Sequence, residues 1–365
     1  MEHRDERNNY TDGKIEIYGT FGPACKSQEI LEEMIKCKMT GMRLNLSHTT
    51  LEKSKDFIQN YRTAAKNQGV VPQILIDMQG PELRVGDMEE MKLQEGAVVY
   101  LVKNRRVPSL EKNVVSIGPG RDAVSVCLGK DEIPVPDSVM SVIEPGMEVL
   151  LDDGKMRICT EAATEGRIAA KVIVGGILKP HKSIKIIGVN VDMPVLTEHD
   201  ISNLQKAKEY GVTALMQPFV FSGEDLKKVR AVLKAESIEG VQIFAKIENR
   251  IGVENLENIL PEADMIVIAR GDLGNDVPLW ELPAVQKKIE HICKKHQKPY
   301  MVVTQMLASM EQNPVPTRAE VSDIFHAVYH GAKAVMVTGE TAVGKYPVEV
   351  IRYLANTAKS AEQCI

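Results

Sequence analysis

An alternation of short β-type runs with helical periodicity, broken only once, constrains the fold of this chain more than any other feature. Ile15–Thr20 is β-type. After Gly22-Pro23, a helical pattern starts at Ser27 and puts Ile30, Leu31, Met34 and Ile35 on one face. Ser27 ahead of that face has the character of an N-cap. Met42–Leu46 predicts a second strand, and a helix from about Thr50 carries Leu51, Phe57, Ile58 and Tyr61 on one side. Gln73–Asp77 is apolar in its interior, as suits a strand buried on both faces.

From about Gly86 to Gly188 the alternation stops. Short β-like runs replace it at Val98–Val102, Val114–Ile117, Met147–Leu151, Ile168–Val174 and Ile184–Ile187. Turns such as Pro119-Gly120, Pro145-Gly146 and Asp153-Gly154 separate them, the texture of a small all-β domain inserted in a loop. Alternation resumes at Leu196. Strands are expected at Ala214–Met216, Gln242–Ile247, Met265–Ala269, Tyr300–Val303 and Ala334–Val337, with helical patterns between them and a last helix from about Pro347. Three strands before the insert and five after it make the eight units of a closed (β/α)8 barrel, that is, a TIM barrel. An open doubly wound sheet is the alternative with the same count. The expected division is 1–86 and 188–365 for the barrel and 87–187 for the inserted β-domain.

Composition narrows the function classes. Lys and Arg total 45 against 50 Asp and Glu, so no global field exists to hold a nucleic acid or an anionic membrane. Aromatics make up only 4%, which disfavours base-stacking surfaces. No apolar run approaches the roughly 18 residues of a membrane span. Met1–Asp12 is polar and is no secretory signal. The six cysteines are scattered without metal-type spacing, so reduced thiols in a cytoplasmic protein are expected.

In such a barrel, the C-terminal strand ends form the active face. The second strand ends in Arg43-Leu44-Asn45-Leu46-Ser47-His48, the third in Asp77-Met78-Gln79-Gly80, the fifth in Lys246-Ile247-Glu248, the sixth in Arg270-Gly271-Asp272 and the seventh in Thr304-Gln305. Polar residues normally begin loops, but Arg43/Asn45 and Lys246/Glu248 are i, i+2 pairs that each project to one face. Lys and Glu facing a barrel mouth are costly to desolvate unless paired or bound to a ligand. Glu248 and Asp272 offer two carboxylates suited to Mg²⁺, completed by waters and substrate oxygens. Asn45, Ser47 and Asp77 are oxygen donors for a second, weaker cation, and Gly271 is small enough to let an anionic ligand approach the backbone.

From Lys14 onward the chain resembles the pyruvate kinase family. GTFGPAC, GMRLNLSH, LIDMQGPELRVG, LLDDGK, FAKIENRIGV, MIVIARGDLG, VVTQMLASM, PTRAEVSD and VMVTGETAVGKYP occur in that family's order and spacing. The resemblance implies a barrel with a β-domain inserted after the third strand. It also implies phosphoryl transfer from phosphoenolpyruvate to ADP with Mg²⁺ and K⁺. Glu248 and Asp272 are then implied for Mg²⁺, and Asn45, Ser47, Asp77 and the Met78 carbonyl for K⁺, with Glu82 where potassium-dependent members carry Glu. Arg43 and Arg84 are implied for phosphate groups, and His48, Asn45 and Asp153 for the nucleotide side. Lys246 is implied for the transferring phosphoryl group, Thr304 for the carbon that gains a proton, and Gly271 for substrate binding. A homodimer through the barrel fits the same resemblance.

Some positions depart from the pattern. Met78 stands for a usual Thr, Gln79 for Lys, Pro218 for Ser and Thr338 for Ser. Ile187 stands where a Lys is expected before GVN, leaving Lys185 as the nearby candidate, and the sequence stops before the family's usual C-terminal domain. Two other functions stay open at this stage: a Mg²⁺ enzyme stabilising the enolate of a 2-oxo acid on the same scaffold, and a non-catalytic paralogue.

Overall fold

The computed structural model describes residues 14–104, 129–164, 166–189, 191, 193–238 and 240–365. The expected strand Val114–Ile117, the Pro119-Gly120 turn, Cys127 and the Met1–Asp12 segment lie outside these residues. The described chain forms two compact units, one ending at Pro81 and resuming at Val195–Ile365, the other Glu82–Pro194.

In the first unit eight parallel strands close on themselves. They are β1 (Glu16–Thr20), β2 (Gly41–Asn45), β3 (Gln73–Asp77), β4 (Ala214–Gln217), β5 (Gln242–Ile247), β6 (Met265–Ala269), β7 (Tyr300–Val303) and β8 (Ala334–Met336). β8 pairs with both β7 and β1, which closes the barrel and excludes the open sheet.

Two apolar layers follow from the period of two along each strand. Phe244 of β5, Leu75 of β3, Val267 of β6 and Met301 of β7 share one buried cluster. Their sequence neighbours Ile243, Ala245, Ile74, Ile76, Ile266 and Val302 belong to another, together with helix residues such as Leu31, Ile289 and Leu354. One side of each strand therefore fills the barrel and the other seats its helices.

Local signals account for the helix starts. Ser27 Oγ accepts the Ile30 N–H at 3.3 Å, which caps Gln28–Lys36. The helix expected from Thr50 begins instead at Lys55. Leu51 is buried outside it, and its N–H goes to Asn203 Oδ1 at 2.9 Å, a tertiary contact no local pattern reveals.

Asp200 organises the residues on either side of the gap between β3 and β4. It sits in a capping box with Thr197 at the start of Glu198–Leu204. Oδ1 accepts the Gln79 N–H at 2.8 Å, and Oδ2 accepts the Gly80 N–H at 3.1 Å, the Thr197 N–H at 2.9 Å and the Thr197 hydroxyl at 2.7 Å. Gly80 has φ +64, and a Cβ there would lie 2.5 Å from Pro218 Cγ, so only glycine fits.

The second unit is a β-domain. Its six-stranded sheet runs in the order Ile184–Ile186, Glu148–Leu151, Met156–Thr164, Arg167–Val174, Val98–Lys103, Glu132–Val135, and Gly176–Leu178 pairs with Met91–Leu93. Leu101, Ile133, Val149, Ile158 and Val172 fill its core. Among the described residues no helix is long and apolar enough to cross a membrane.

Candidate active site

Strand periodicity carries charged residues to one end of the barrel's interior face. On β5 the inward set starts at Phe244, so Lys246 and Glu248 follow on the same side. On β3 it runs from Leu75 to Asp77. On β2 the outward residues are Met42 and Leu44, which leaves Arg43 and Asn45 facing in. The β2–β3 register sets Asn45 beside Asp77.

These side chains form one ionic cluster. Asp77 Oδ2 accepts from Arg43 Nε at 2.8 Å and Nη2 at 2.6 Å, while Lys246 Nζ lies 3.3 Å from Asp77 Oδ1 and 2.8 Å from Glu248 Oε1. Glu248 Oε2 accepts the Phe219 N–H at 2.9 Å. Burial alone would raise the Asp77 carboxyl, but Lys246 and then Arg43 outweigh it and hold it below its usual range. Burial likewise opposes the Lys246 charge, but Asp77, Glu248 and Asp272 together raise its pKa, so the ammonium persists. Glu248 is pushed up to about 7, first by burial and further by Asp272, with Lys246 only partly offsetting both.

Three carboxylates thus interact with two cationic side chains, and the excess negative charge rests on Glu248 and Asp272. A hard divalent cation suits that donor set. Among the described residues no group of three or more His, Cys, Asp or Glu side chains is placed to hold a metal. Mg²⁺ does not require one, since it is commonly held by one or two carboxylates with water and substrate oxygens.

The ends of β6 and β7 add a second corner. Ala269 pairs with Val303, so Arg270-Gly271-Asp272 and Thr304 leave the wall side by side. Gly271 N–H donates to Thr304 Oγ1 at 2.9 Å, and Arg270 Nη2 donates to the Thr304 carbonyl at 2.7 Å. Thr304 has φ +72 and Gln305 φ +53. For a β-branched residue this is an outlier costing roughly 1–3 kcal/mol, of a kind that clusters at functional sites.

The structure thus brings together Arg43, Asn45, Asp77, Lys246, Glu248, Gly271, Asp272 and Thr304 at the C-terminal strand ends. Ser47, His48 and Met78 directly follow β2 and β3. The Ser47 N–H donates to Asn45 Oδ1 at 3.2 Å, His48 is exposed, and Met78 is buried with its N–H on the Met216 carbonyl at 3.1 Å.

Arg84 and Asp153 belong to the second unit. Arg84 pairs with Glu82 at 2.5 Å and donates to the His181 carbonyl at 2.7 Å. Asp153 lies in the turn after Glu148–Leu151, where Asp152, Asp153 and Gly154 have φ +49, +56 and +80. Ser183 holds that turn. Its hydroxyl donates to Asp153 Oδ1 at 2.7 Å and accepts the Asp153 N–H at 2.8 Å.

Sequence reasoning missed two groups of the barrel site, Arg270 and the Phe219 amide, and one ion pair of the second unit. In the second unit Lys185 lies on Ile184–Ile186, and Lys182, which the sequence did not single out, pairs with Asp152 at 2.9 Å on the acidic turn. Its position two residues before a β-run was the available signal. Arg270 stood next to the Gly271-Asp272 pair and drew no attention because Arg in a loop is ordinary. The Phe219 amide carries no sequence signal, since its use depends on a left-handed backbone, φ +52.

Comparison with known proteins shows the family of the chain. The family model "Pyruvate kinase, barrel domain" matches residues 13–351. The chain is 36% identical over 356 residues to a pyruvate kinase of Geobacillus stearothermophilus, covering 96% of this chain and 57% of that protein. A pyruvate kinase of Sporosarcina psychrophila is 35% identical over 354 residues, with 58% of its length covered. One from Aeropyrum pernix is 34% identical over 350 residues, with 71% covered. The chain therefore spans under two thirds of the length of the two bacterial relatives.

Proposed function

From the premise that this chain belongs to the pyruvate kinase family, we propose that it transfers the phosphoryl group of phosphoenolpyruvate to ADP, giving pyruvate and ATP. One observation carries the reading: a charged, buried Lys246 held between Asp77 and Glu248 at the barrel mouth, within the influence of Asp272.

A phosphoryl group in transfer spreads negative charge over its oxygens, so fixed cations stabilise it by position. Lys246 meets that demand without reorganising, because two carboxylates already fix its ammonium. By analogy with oxyanion donors, such a group contributes about 3–4 kcal/mol. Arg43 is held by a two-nitrogen contact to Asp77 and presents a second fixed cation.

Glu248 and Asp272 would hold Mg²⁺ in this proposal, and the ion would supply Lewis-acid stabilisation of negative charge at the barrel mouth. Asn45, Ser47, Asp77 and the Met78 carbonyl are assigned to K⁺. Gly271 leaves space for the substrate carboxylate, and the Thr304 hydroxyl, which accepts the Gly271 N–H at 2.9 Å and donates to the Val303 carbonyl at 2.5 Å, is assigned to the side of the carbon that becomes the methyl group.

His48 and Asn45 of the barrel are assigned to ADP and its phosphates, as are Arg84 and Asp153 of the second unit, where Lys182, paired with Asp152, is a candidate beside Lys185. Assembly as a homodimer through the barrel and a cytoplasmic setting belong to the same proposal.

Coupled turnover with phosphoenolpyruvate, ADP, Mg²⁺ and K⁺ tests it. Absence of ATP formation at high enzyme concentration rejects the transfer. Solvent deuterium entering the pyruvate methyl group would then leave enolate chemistry as the activity of this site.

A further inference from the structure

Arg270 carries a charge that the mechanism above does not use. It opens the short helix Arg270–Asp276 after β6, yet its side chain turns toward β7. Nη1 donates to Asp323 Oδ2 at 2.6 Å, and Nη2 donates to the Thr304 carbonyl at 2.7 Å and lies 2.9 Å from Met306 Sδ. Asp323 comes from the helix Arg318–Tyr329, so three elements meet on one guanidinium. The Arg270 side chain is only 12% exposed.

The guanidinium's partners show what it can do. Its charge is matched by Asp323, and its other terminal nitrogen is spent on a backbone carbonyl, so an anionic substrate would find little free donor capacity. The carbonyl it grips is that of Thr304, whose backbone is left-handed at φ +72, followed by Gln305 at φ +53. A β-branched residue stays in that region only when its surroundings over-determine it. Gly271 N–H holds the Thr304 hydroxyl from one side and Arg270 holds its carbonyl from the other.

We propose that Arg270, locked by Asp323, is a positioning residue that sets the orientation of Thr304 and through it the proton-transfer half of the reaction. The proposal rests on the reading of this site as a pyruvate kinase site. Arg270 touches no reacting atom. It fixes the backbone conformation that aims the Thr304 hydroxyl. Arg270→Lys keeps the charge but loses the planar fork that reaches Asp323 and the carbonyl together, so charge alone does not restore function.

The test is a double-mutant cycle on the full chain. Arg270→Gln is expected to lower kcat by about 10- to 100-fold, the scale of a small misplacement, with KM for phosphoenolpyruvate changed less than about threefold. Arg270→Lys is expected to resemble it, and Asp323→Asn to show a smaller loss in the same direction. In a Thr304→Ala background, Arg270→Gln is expected to cost less than about threefold more, because the group it aims is gone.

An undiminished cost in that background overturns the proposal, as does a loss confined to KM. Methyl-labelled threonine NMR makes the result independent of turnover. The Thr304 methyl resonance is expected to shift or broaden in Arg270→Gln while threonines at the opposite end of the barrel, such as Thr213 before β4, stay in place. If the wild-type chain makes no ATP, the reaction assignment fails while this resonance still decides the positioning claim. An unmoved Thr304 signal rejects it.

Discussion

Lys246 Nζ lies 2.8 Å from Glu248 Oε1 and only two residues away in sequence, so one strand supplies both halves of a buried ion pair at the barrel mouth. Asp77 on β3 holds the same ammonium from the other side. Lys246 and Arg43 keep Asp77 ionised, while Lys246 only partly offsets the burial that raises Glu248, and removing one member leaves uncompensated charge.

Lys246→Met should therefore reduce phosphoryl transfer by at least about 10²-fold, the scale of a lost oxyanion donor. It should also destabilise the fold by about 3–5 kcal/mol, since Glu248 and Asp77 lose a buried partner. Coupled turnover and denaturant unfolding check the two parts separately. Near-normal turnover would remove Lys246 from the chemistry, and unchanged stability would show that the pair contributes nothing to folding.

The raised Glu248 pKa gives a pH signature. Its carboxyl rises from its ordinary 4.5 to about 7 on folding, chiefly through burial. The native state then binds more protons than the unfolded chain between those values, so this group's contribution to stability falls as pH rises from about 4.5 through about 7. A cation on Glu248 and Asp272 relieves that loss. Thermal unfolding should show Mg²⁺ raising Tm more above pH 7 than near pH 5, and Glu248→Gln should abolish the difference. Equal Mg²⁺ stabilisation at both pH values would place the ion elsewhere.

Turnover should depend on K⁺. Omitting both potassium and sodium should lower the rate several-fold or more, and Asn45→Ala or Ser47→Ala should raise the K⁺ concentration needed for half-maximal rate. Rates unaffected by monovalent cations would contradict the Asn45, Ser47, Asp77 and Met78 assignment.

Two glycines should respond differently. At Gly80, φ +64 and a Cβ 2.5 Å from Pro218 Cγ predict that Gly80→Ala costs about 2–4 kcal/mol. At Gly271 the nearest atom to a new Cβ is Thr304 Cγ2 at 3.7 Å, an ordinary contact, so Gly271→Ala should fold nearly as well while weakening substrate binding. Urea unfolding and KM for phosphoenolpyruvate separate the two effects. Similar stability losses at both positions would show that the local geometry does not control them.

Legibility from sequence followed the range of each interaction. The eight strands were readable because period-two burial repeats within each of them, and Gln73–Asp77, Gln242–Ile247 and Met265–Ala269 fall where the pattern placed them. Lys246 and Glu248 were readable because strand geometry alone puts i and i+2 on one face. The insert was harder. Met156–Thr164 and Glu132–Val135 were not read as strands: register shifts interrupt the first along Arg167–Val174, and the second is a four-residue run whose pairing, parallel to Val98–Lys103, comes from residues some thirty positions earlier. Lys182 and Arg270 were missed because what distinguishes them is the group they contact, Asp152 in one case and Thr304 with Asp323 in the other.

The Asp200 carboxylate grips the peptide just before the 113-residue excursion Glu82–Pro194 and the peptide just after it. Both margins of the splice are thereby clamped inside the barrel wall itself. The register of the wall at this splice is consequently held by residues of the barrel alone, whatever length of chain is threaded between them.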